Sequence, residues 1–302
     1  GTDNQVIAIT HTTQLFHVLM KPEFRLPLLR LLLITLTSNS TIALHSLFMD
    51  YTYIRIADIE VPARCVVLDK DGTLIDFHAV WGPRLVRGAT ELAVAADLGD
   101  SFLAHLYQAA GYDAGNGRTS GQGPLATAPL HQFIVIIASI LFQHGIIWDK
   151  ALELSNEHMG ASMTATPTTQ EVIPRGAVAE SLARLVEGDI LAVIATTDNR
   201  HATKIMLNAL EVEPFFADVR CGDDEGPVKP DVAVLNEIAD SLQLEVGDLI
   251  MVGDTVSDLA MARKAGTALC VGITGGAGSA EELASHAEVR GVVSTTLVGR
   301  YH

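Results

Sequence analysis

Asp69 and Asp71 flank Lys70 in the run Asp69-Lys70-Asp71-Gly72-Thr73-Leu74, directly after the apolar stretch Cys65-Val66-Val67-Leu68. Two carboxylates one residue apart repel each other unless a cation shares them or they divide acid and base work. A short β-branched run reads as a buried strand, and in open α/β sheets strand ends are where ligands bind. Taken alone, the same run also fits an Asp-Gly turn on a surface hairpin.

Three segments further along the chain favour the chemical reading. Leu191-Ala192-Val193-Ile194-Ala195 is an apolar strand that ends in Thr196-Thr197-Asp198-Asn199. Val228-Lys229-Pro230-Asp231 sets a lysine just before a proline-initiated helix. Leu249-Ile250-Met251-Val252 is a third buried strand and ends in Gly253-Asp254-Thr255-Val256-Ser257-Asp258. A strand-end acid pair, a strand-end threonine, a lysine and a strand-end Gly-Asp together suit a phosphate and a magnesium ion.

The chemistry assigns each residue a task. A nucleophile approaching an anionic phosphate ester needs the charge neutralised. Asp69 is the candidate nucleophile, because a carboxylate can take the phosphoryl group and split one displacement into two. Asp71 is the candidate general acid and then base. Mg²⁺ takes oxygen ligands, commonly one or two carboxylates with waters and substrate phosphate. Asp254 joins Asp69 and Asp71 as a metal candidate, and Asp258, one helical turn on, suits orientation of a metal water or of Lys229. Thr73, Thr196, Thr197 and Lys229 are the phosphate-binding candidates, with backbone N–H groups of the Lys70–Thr73 turn adding donors. Strand register decides whether Thr196 or Thr197 faces the phosphate. Lys229 also reads as a solvated lysine beside a turn, and Asp223, Asp224 and Glu225 as a solvated acidic loop.

The ordered set resembles the haloacid dehalogenase (HAD) superfamily, whose four motifs it matches one by one. The resemblance implies that the Asp69 side chain, the Asp71 backbone carbonyl and the Asp254 side chain hold Mg²⁺. It also favours Thr196 over Thr197 as the phosphate contact, because the apolar strand ends at Ala195 and similar proteins place a threonine there before an Asn or Asp. It also implies hydrolysis of a phosphate ester. Dehalogenase-type relatives lack an acid at the Asp71 position, phosphonate-cleaving ones carry alanine, and ion pumps read Asp-Lys-Thr-Gly-Thr. Among capped relatives the chain is most similar to phosphoglycolate-phosphatase-type enzymes, from about Val61 to Val298. A phosphotransferase or mutase of the same superfamily, and a non-catalytic scaffold, are the alternatives.

These residues need elements to position them. The alternation of apolar strands and amphipathic helices predicts an α/β fold, a Rossmann-like parallel sheet with helices on both faces. The expected catalytic core spans residues 49–76 and 169–302. Within it, helices are expected over Pro174–Val186, Arg200–Leu210, Asp231–Leu242 (Val232, Leu235, Ile238 and Leu242 inward) and Val256–Ala265, with Gly266 as C-cap. Gly275–Gly278 reads as a plain connecting loop, since it lacks P-loop spacing. Residues 77–168 are too many for one crossover. They carry helical patterns with glycine-rich breaks at Gly111–Gly123 and no clear strand series, and resemble the helical cap of many HAD phosphatases. Phe133–Phe142 is expected at the cap's core, and His78 and Trp81 in a core or hinge role rather than on substrate.

Composition narrows the partners. With 48% hydrophobic residues the 302-residue chain is long enough to bury a sizeable core. The formal charge of −16 opposes nucleic acid or an anionic membrane surface as partner, and the resemblance implies a small phosphorylated metabolite instead. Three scattered cysteines, Cys65, Cys221 and Cys270, make neither a disulfide framework nor a zinc site. Residues 1–48 read as a targeting segment, a packed helix or sequence upstream of a start at Met49; their apolar run Leu26–Leu36 is too short to span a bilayer. The expected location is cytoplasmic, or organellar if residues 1–48 are a targeting segment.

Overall fold

The computed structural model describes residues 53–56, 59–287, 289–291 and 297–298. The expectations for residues 1–48 lie outside them. The chain enters as an antiparallel pair, β1 (Tyr53–Ile56) and β2 (Ile59–Pro62), and continues into β3 (Cys65–Leu68). After the acidic turn comes a helical insertion. It contains α1 (Phe77–Ala95), α2 (Asp100–Ala110), a small hairpin of β4 (Tyr112–Asp113) and β5 (Arg118–Thr119), α3 (Pro124–Thr127) and α4 (Leu130–Gln143). Its last helix, α5 (Trp148–Leu154), runs on through a π-type turn, Ser155–Gly160, to Met163. The chain then alternates: α6 (Val178–Glu187), β6 (Leu191–Ala195), α7 (Arg200–Ala209), β7 (Phe216–Arg220), α8 (Ala233–Ser241), β8 (Leu249–Gly253), α9 (Val256–Ala265), β9 (Leu269–Ile273), α10 (Ala280–Ala284), β10 (Val289–Gly291) and β11 (Leu297–Val298).

Six strands form one sheet in the order β10-β9-β8-β3-β6-β7, and every neighbouring pair is parallel. β11, β1 and β2 form a separate three-stranded antiparallel sheet. Side-chain alternation divides the core in two. Val66, Leu68, Ala192, Ile194, Ile250 and Val252 face one side, where Leu182 and Leu185 of α6 and Met206 of α7 cover them. Cys65, Val67, Val193, Leu249 and Met251 face the other, against Leu235 and Ile238 of α8 and Leu259 of α9. Burial on both faces explains why the strands read as unbroken apolar runs rather than alternating ones.

From β3 the chain steps outward through β6 to β7, then returns across β3 to β8. The order reverses between β3 and β8, and crevices at such reversals open at the carboxyl ends of the strands. Register brings the functional segments to that edge: Leu68 lies opposite Ile194 on one side and Val252 on the other.

The insertion has its own apolar cluster. Leu85 and Leu92 of α1, Phe102 and Leu106 of α2, and Phe133, Ile137 and Leu141 of α4 pack together. α4 is not buried all round, since Val135 and Phe142 face solvent. Arg84 is buried in this helical layer. Its Nε donates to Glu171 Oε1 (2.7 Å) and its Nη1 to the Met163 carbonyl (2.9 Å), tying α1 to the chain that leaves the insertion.

Three elements differ from the sequence reading. α6 begins at Val178 rather than Pro174, because Pro174 is bridged to Ile75 and Gly176 takes a left-handed φ of 75°. α8 is shorter than Asp231–Leu242 and adds Val234 and Ala239 to its buried face, while Val232 and Leu242 are only half-buried. The glycine-rich stretch of the insertion contains the β4–β5 hairpin, closed by Gly115 N–H donating to Asp113 Oδ1 (2.8 Å).

Candidate active site

Asp69 leaves the end of β3 with its N–H on the Val252 carbonyl (2.8 Å), so the backbone of β8 holds it beside Asp254. The chain then turns sharply. N–H groups of Leu74 and Ile75 both donate to the Lys70 carbonyl (2.8 and 3.1 Å), and Gly72 takes φ 85°. A Cβ at Gly72 would stand 1.9 Å from Asp254 Oδ2, so glycine meets both the backbone and the space requirement.

Lys229, just before α8, reaches the strand ends. Its Nζ lies 2.6 Å from Asp69 Oδ1 and 2.5 Å from Asp258 Oδ1, and donates to the Ala195 carbonyl at 3.0 Å. Asp258 stands at the third position of α9. Its other oxygen accepts from Thr255 Oγ1 (2.6 Å) and Thr255 N–H (3.3 Å), while Thr255 Oγ1 accepts the Asp258 N–H in a reciprocal cap. Asp258 is therefore held by the helix cap and turned toward Lys229.

Asp254 is fully buried. Its Oδ2 accepts the Ala277 N–H at 2.6 Å, whereas Oδ1 has no hydrogen-bond partner. Carboxylate oxygens of Asp69, Asp254 and Asp258 lie within 4.8 Å of one another. Buried acids so close together need a counter-charge beyond Lys229. The orphaned Asp254 oxygen and the all-oxygen donor set fit a hard divalent cation.

Electrostatics agree. Burial raises Asp69 to about 7, with the Asp258 and Asp71 charges adding and Lys229 opposing. Burial, then the Asp69 and Asp258 charges, push Asp254 well above the usual carboxylate range. Lys229 is pushed up despite its burial, because Asp258 and Asp69 hold the proton on it. An isolated ion pair would lower its acid; here burial and neighbouring carboxylates outweigh one lysine for Asp69.

Asp71 sits beside this group with a different partner. Its Oδ2 is 3.0 Å from Lys70 Nζ, and its Oδ1 is buried without a partner. Burial raises its pKa and Asp198 adds to this, while Lys70 and the Trp81 indole oppose. Lys70 also reaches Asp198 Oδ2 at 2.6 Å.

A cavity of about 330 Å³ joins these residues, lined on the sheet side by Asp69, Asp71, Thr197, Asp198, Lys229, Asp254 and Asp258. Thr197 borders this space; Thr196 does not, and its Oγ1 accepts the Asp198 N–H (3.1 Å). Thr73 is fully buried away from the cavity wall, and its hydroxyl has no partner. The acidic loop turns to Arg200: Asp223 accepts its N–H (2.8 Å), and Asp224 pairs with its guanidinium (2.6 Å).

Two parts of the site escaped the sequence reading. The loop after β9 is no mere connector. Ala277 bonds Asp254, a Cβ at Gly276 would lie 2.2 Å from Asp254 Oδ2, and Arg175 clamps the carbonyls of Thr274 and Gly275 (2.7 Å each). The density of glycine was its sequence signal. His78 donates from Nε2 to the Gly276 carbonyl (3.1 Å), joining α1 to this loop, whereas Trp81 lines the cavity.

Comparison with known proteins gives the class. The sequence model of the haloacid dehalogenase-like hydrolase family matches residues 63–266, and the chain belongs to that family. No curated protein matches. Among solved structures, a haloacid dehalogenase-like family hydrolase from Streptococcus pneumoniae is 20% identical with a TM-score of 0.55, over 76% of this chain and 93% of that one. A predicted phosphoglycolate phosphatase from Haemophilus somnus is 16% identical with a TM-score of 0.56, over 77% and 95%. A candidate β-phosphoglucomutase from Thermotoga maritima is 15% identical with a TM-score of 0.51, over 76% and 95%. At these identities the likeness is one of fold.

Proposed function

We propose that this hydrolase is a Mg²⁺-dependent phosphatase that cleaves a small phosphomonoester through a phosphoryl group carried on Asp69. The observation that carries the reading is the convergence of Asp69, Asp254 and Asp258 within 4.8 Å, with Lys229 bonded to two of them. Asp71 opens onto the same cavity.

An Asp69 oxygen attacks phosphorus; the bond to Asp69 forms as the bond to the ester oxygen breaks. Asp71, whose hold on a proton is strengthened by its burial, gives a proton to the departing alkoxide. It then takes a proton from the water that attacks phosphorus, which frees inorganic phosphate and restores the Asp69 carboxylate. Lys229 holds Asp69 in place and offers positive charge to the phosphoryl oxygens. Thr197 offers a hydroxyl from the cavity wall. Asp69, Asp254 and the Asp71 carbonyl would hold Mg²⁺, which when bound neutralises phosphoryl charge. Asp258 orients Lys229.

Residues 77–168 act as a cap over the core of residues 49–76 and 169–302, excluding water during transfer. Among the described residues no helix is long and apolar enough to cross a membrane. The free, buried cysteines agree with a reducing, cytoplasmic setting.

Purified protein with Mg²⁺ should release phosphate from 4-nitrophenyl phosphate, and Asp69→Asn should lose roughly 10³-fold or more of that rate. Turnover retained in Asp69→Asn rejects the nucleophile. Transfer to a sugar hydroxyl with little free phosphate would make the protein a phosphotransferase instead.

A further inference from the structure

The two walls of the cavity differ in kind. The sheet side carries the six acids Asp69, Asp71, Asp198, Asp223, Asp254 and Asp258. The side built by the insertion is mostly apolar and partly aromatic, with Phe77, Trp81, Leu125, Leu130, Phe133 and Met163 beside the hydroxyls of Thr127 and Thr164. His131 is the one ionisable side chain the insertion adds to the lining, which holds no arginine and one lysine. That lysine, Lys229, is already held between Asp69 and Asp258 at 2.6 and 2.5 Å.

A substrate carrying one phosphate has a place for that charge at the strand ends. A second anionic group would meet apolar side chains on the insertion side, where no arginine or lysine lines the cavity, while Lys229 across it is already engaged by Asp69 and Asp258. An apolar group would meet the aromatic faces of Trp81 and Phe133 and gain by leaving water. A volume of about 330 Å³ leaves room beyond the phosphate for a short alkyl or single-ring group. We propose that the substrate is a monophosphate ester of a small, uncharged, apolar alcohol, and that phosphorylated acids and bisphosphates are excluded by the charge of the site. This rests on the phosphatase reading and adds the substrate class to it.

The test separates the two ideas. Turnover of propyl and benzyl phosphate is compared with that of phosphoglycolate, with Mg²⁺ at about pH 8, where imidazoles are neutral. In parallel, binding of two non-hydrolysable phosphonates, benzylphosphonate and phosphonoacetate, is followed by tryptophan fluorescence in a Trp148→Phe background, which leaves Trp81 as the single tryptophan. Expected is a kcat/KM at least about 30-fold higher for the apolar esters, and the same order in binding. Leu130→Arg and Leu125→Arg, both at half-buried positions, should each shift the ratio toward phosphoglycolate by about tenfold or more.

Phosphoglycolate turned over as well as the apolar esters overturns the substrate class and leaves the phosphatase intact. Equal binding of the two phosphonates overturns it as well. No turnover of any ester, with benzylphosphonate still binding more tightly than phosphonoacetate, overturns the phosphatase reading and supports the apolar subsite.

Discussion

Lys70 Nζ lies 2.6 Å from Asp198 Oδ2, so the residue between the two aspartates of the acidic turn is bonded to the end of the neighbouring strand β6. Lys70 is wholly buried and also reaches Asp71 Oδ2 at 3.0 Å and Met206 Sδ at 3.0 Å. Burial disfavours its charge, yet Asp198 and Asp71 hold the proton on it. The lysine thus fixes Asp71, the proposed general acid, and ties two strand ends together. Lys70→Met removes the cation and leaves two buried carboxylates facing each other. Removing one partner of a buried pair costs about 3–5 kcal/mol. Urea unfolding should show a loss in that range; a loss below about 1 kcal/mol would mean that water reaches these groups.

Asp71 and Asp254 are both buried acids, but they face different partners and should fail differently. The oxygens clustered for a cation belong to Asp69, Asp254 and Asp258, not to the Asp71 side chain. Asp71→Asn should lower kcat by about 10²- to 10⁴-fold, the range for losing one general acid. Its Mg²⁺ affinity, measured by calorimetry, should change by less than about threefold. Asp254→Asn should weaken Mg²⁺ binding by about tenfold or more. Equal loss of Mg²⁺ binding in both variants would put the Asp71 side chain among the metal ligands.

Much of this site was legible because local patterns report local structure. β3, β6 and β8 are runs of apolar residues buried on both faces, and each ends where the polar residues begin. Gly266 ends α9 with a left-handed φ of 85°, as its position one residue beyond the helix predicts. What escaped depends on contacts between distant residues. Nothing near Gly276 reveals that it packs on Asp254, twenty-two positions earlier and one strand away. Pro174 looked like a helix start because its pairing partner, Ile75, lies across the whole insertion. Lys229 also read as a solvated lysine, because its two acids, Asp69 and Asp258, come together only in the fold.

Gly276 tests that hidden contact. A Cβ there would lie 2.2 Å from Asp254 Oδ2 and 2.7 Å from the Gly72 carbonyl, so alanine forces the loop, the turn or the carboxylate to move. Overpacking of this kind costs about 1–3 kcal/mol. Displacing a ligand by about an ångström costs about 10²-fold in rate. Gly276→Ala should remain folded by circular dichroism and lose roughly 10²-fold in kcat/KM. Gly247, whose Cβ would meet nothing within 4 Å, gives the control: Gly247→Ala should keep full activity.

The metal site should also be visible in how stability depends on pH. Burial raises Asp69 to about 7 in the folded, metal-free protein, and Asp254 shifts the same way. In the unfolded chain such groups titrate at about 4. Between those values the folded state binds more protons than the unfolded one, so stability falls as pH rises through that window. A divalent cation needs the ionised carboxylates and competes with the protons. Saturating Mg²⁺ should therefore raise the unfolding temperature little near pH 5.5 and much more near pH 8, and chelator should reverse the gain. Asp254→Asn should flatten the Mg²⁺ effect at both values. A Mg²⁺ gain that is the same at both pH values, or larger in acid, would mean that the ion binds away from Asp69 and Asp254.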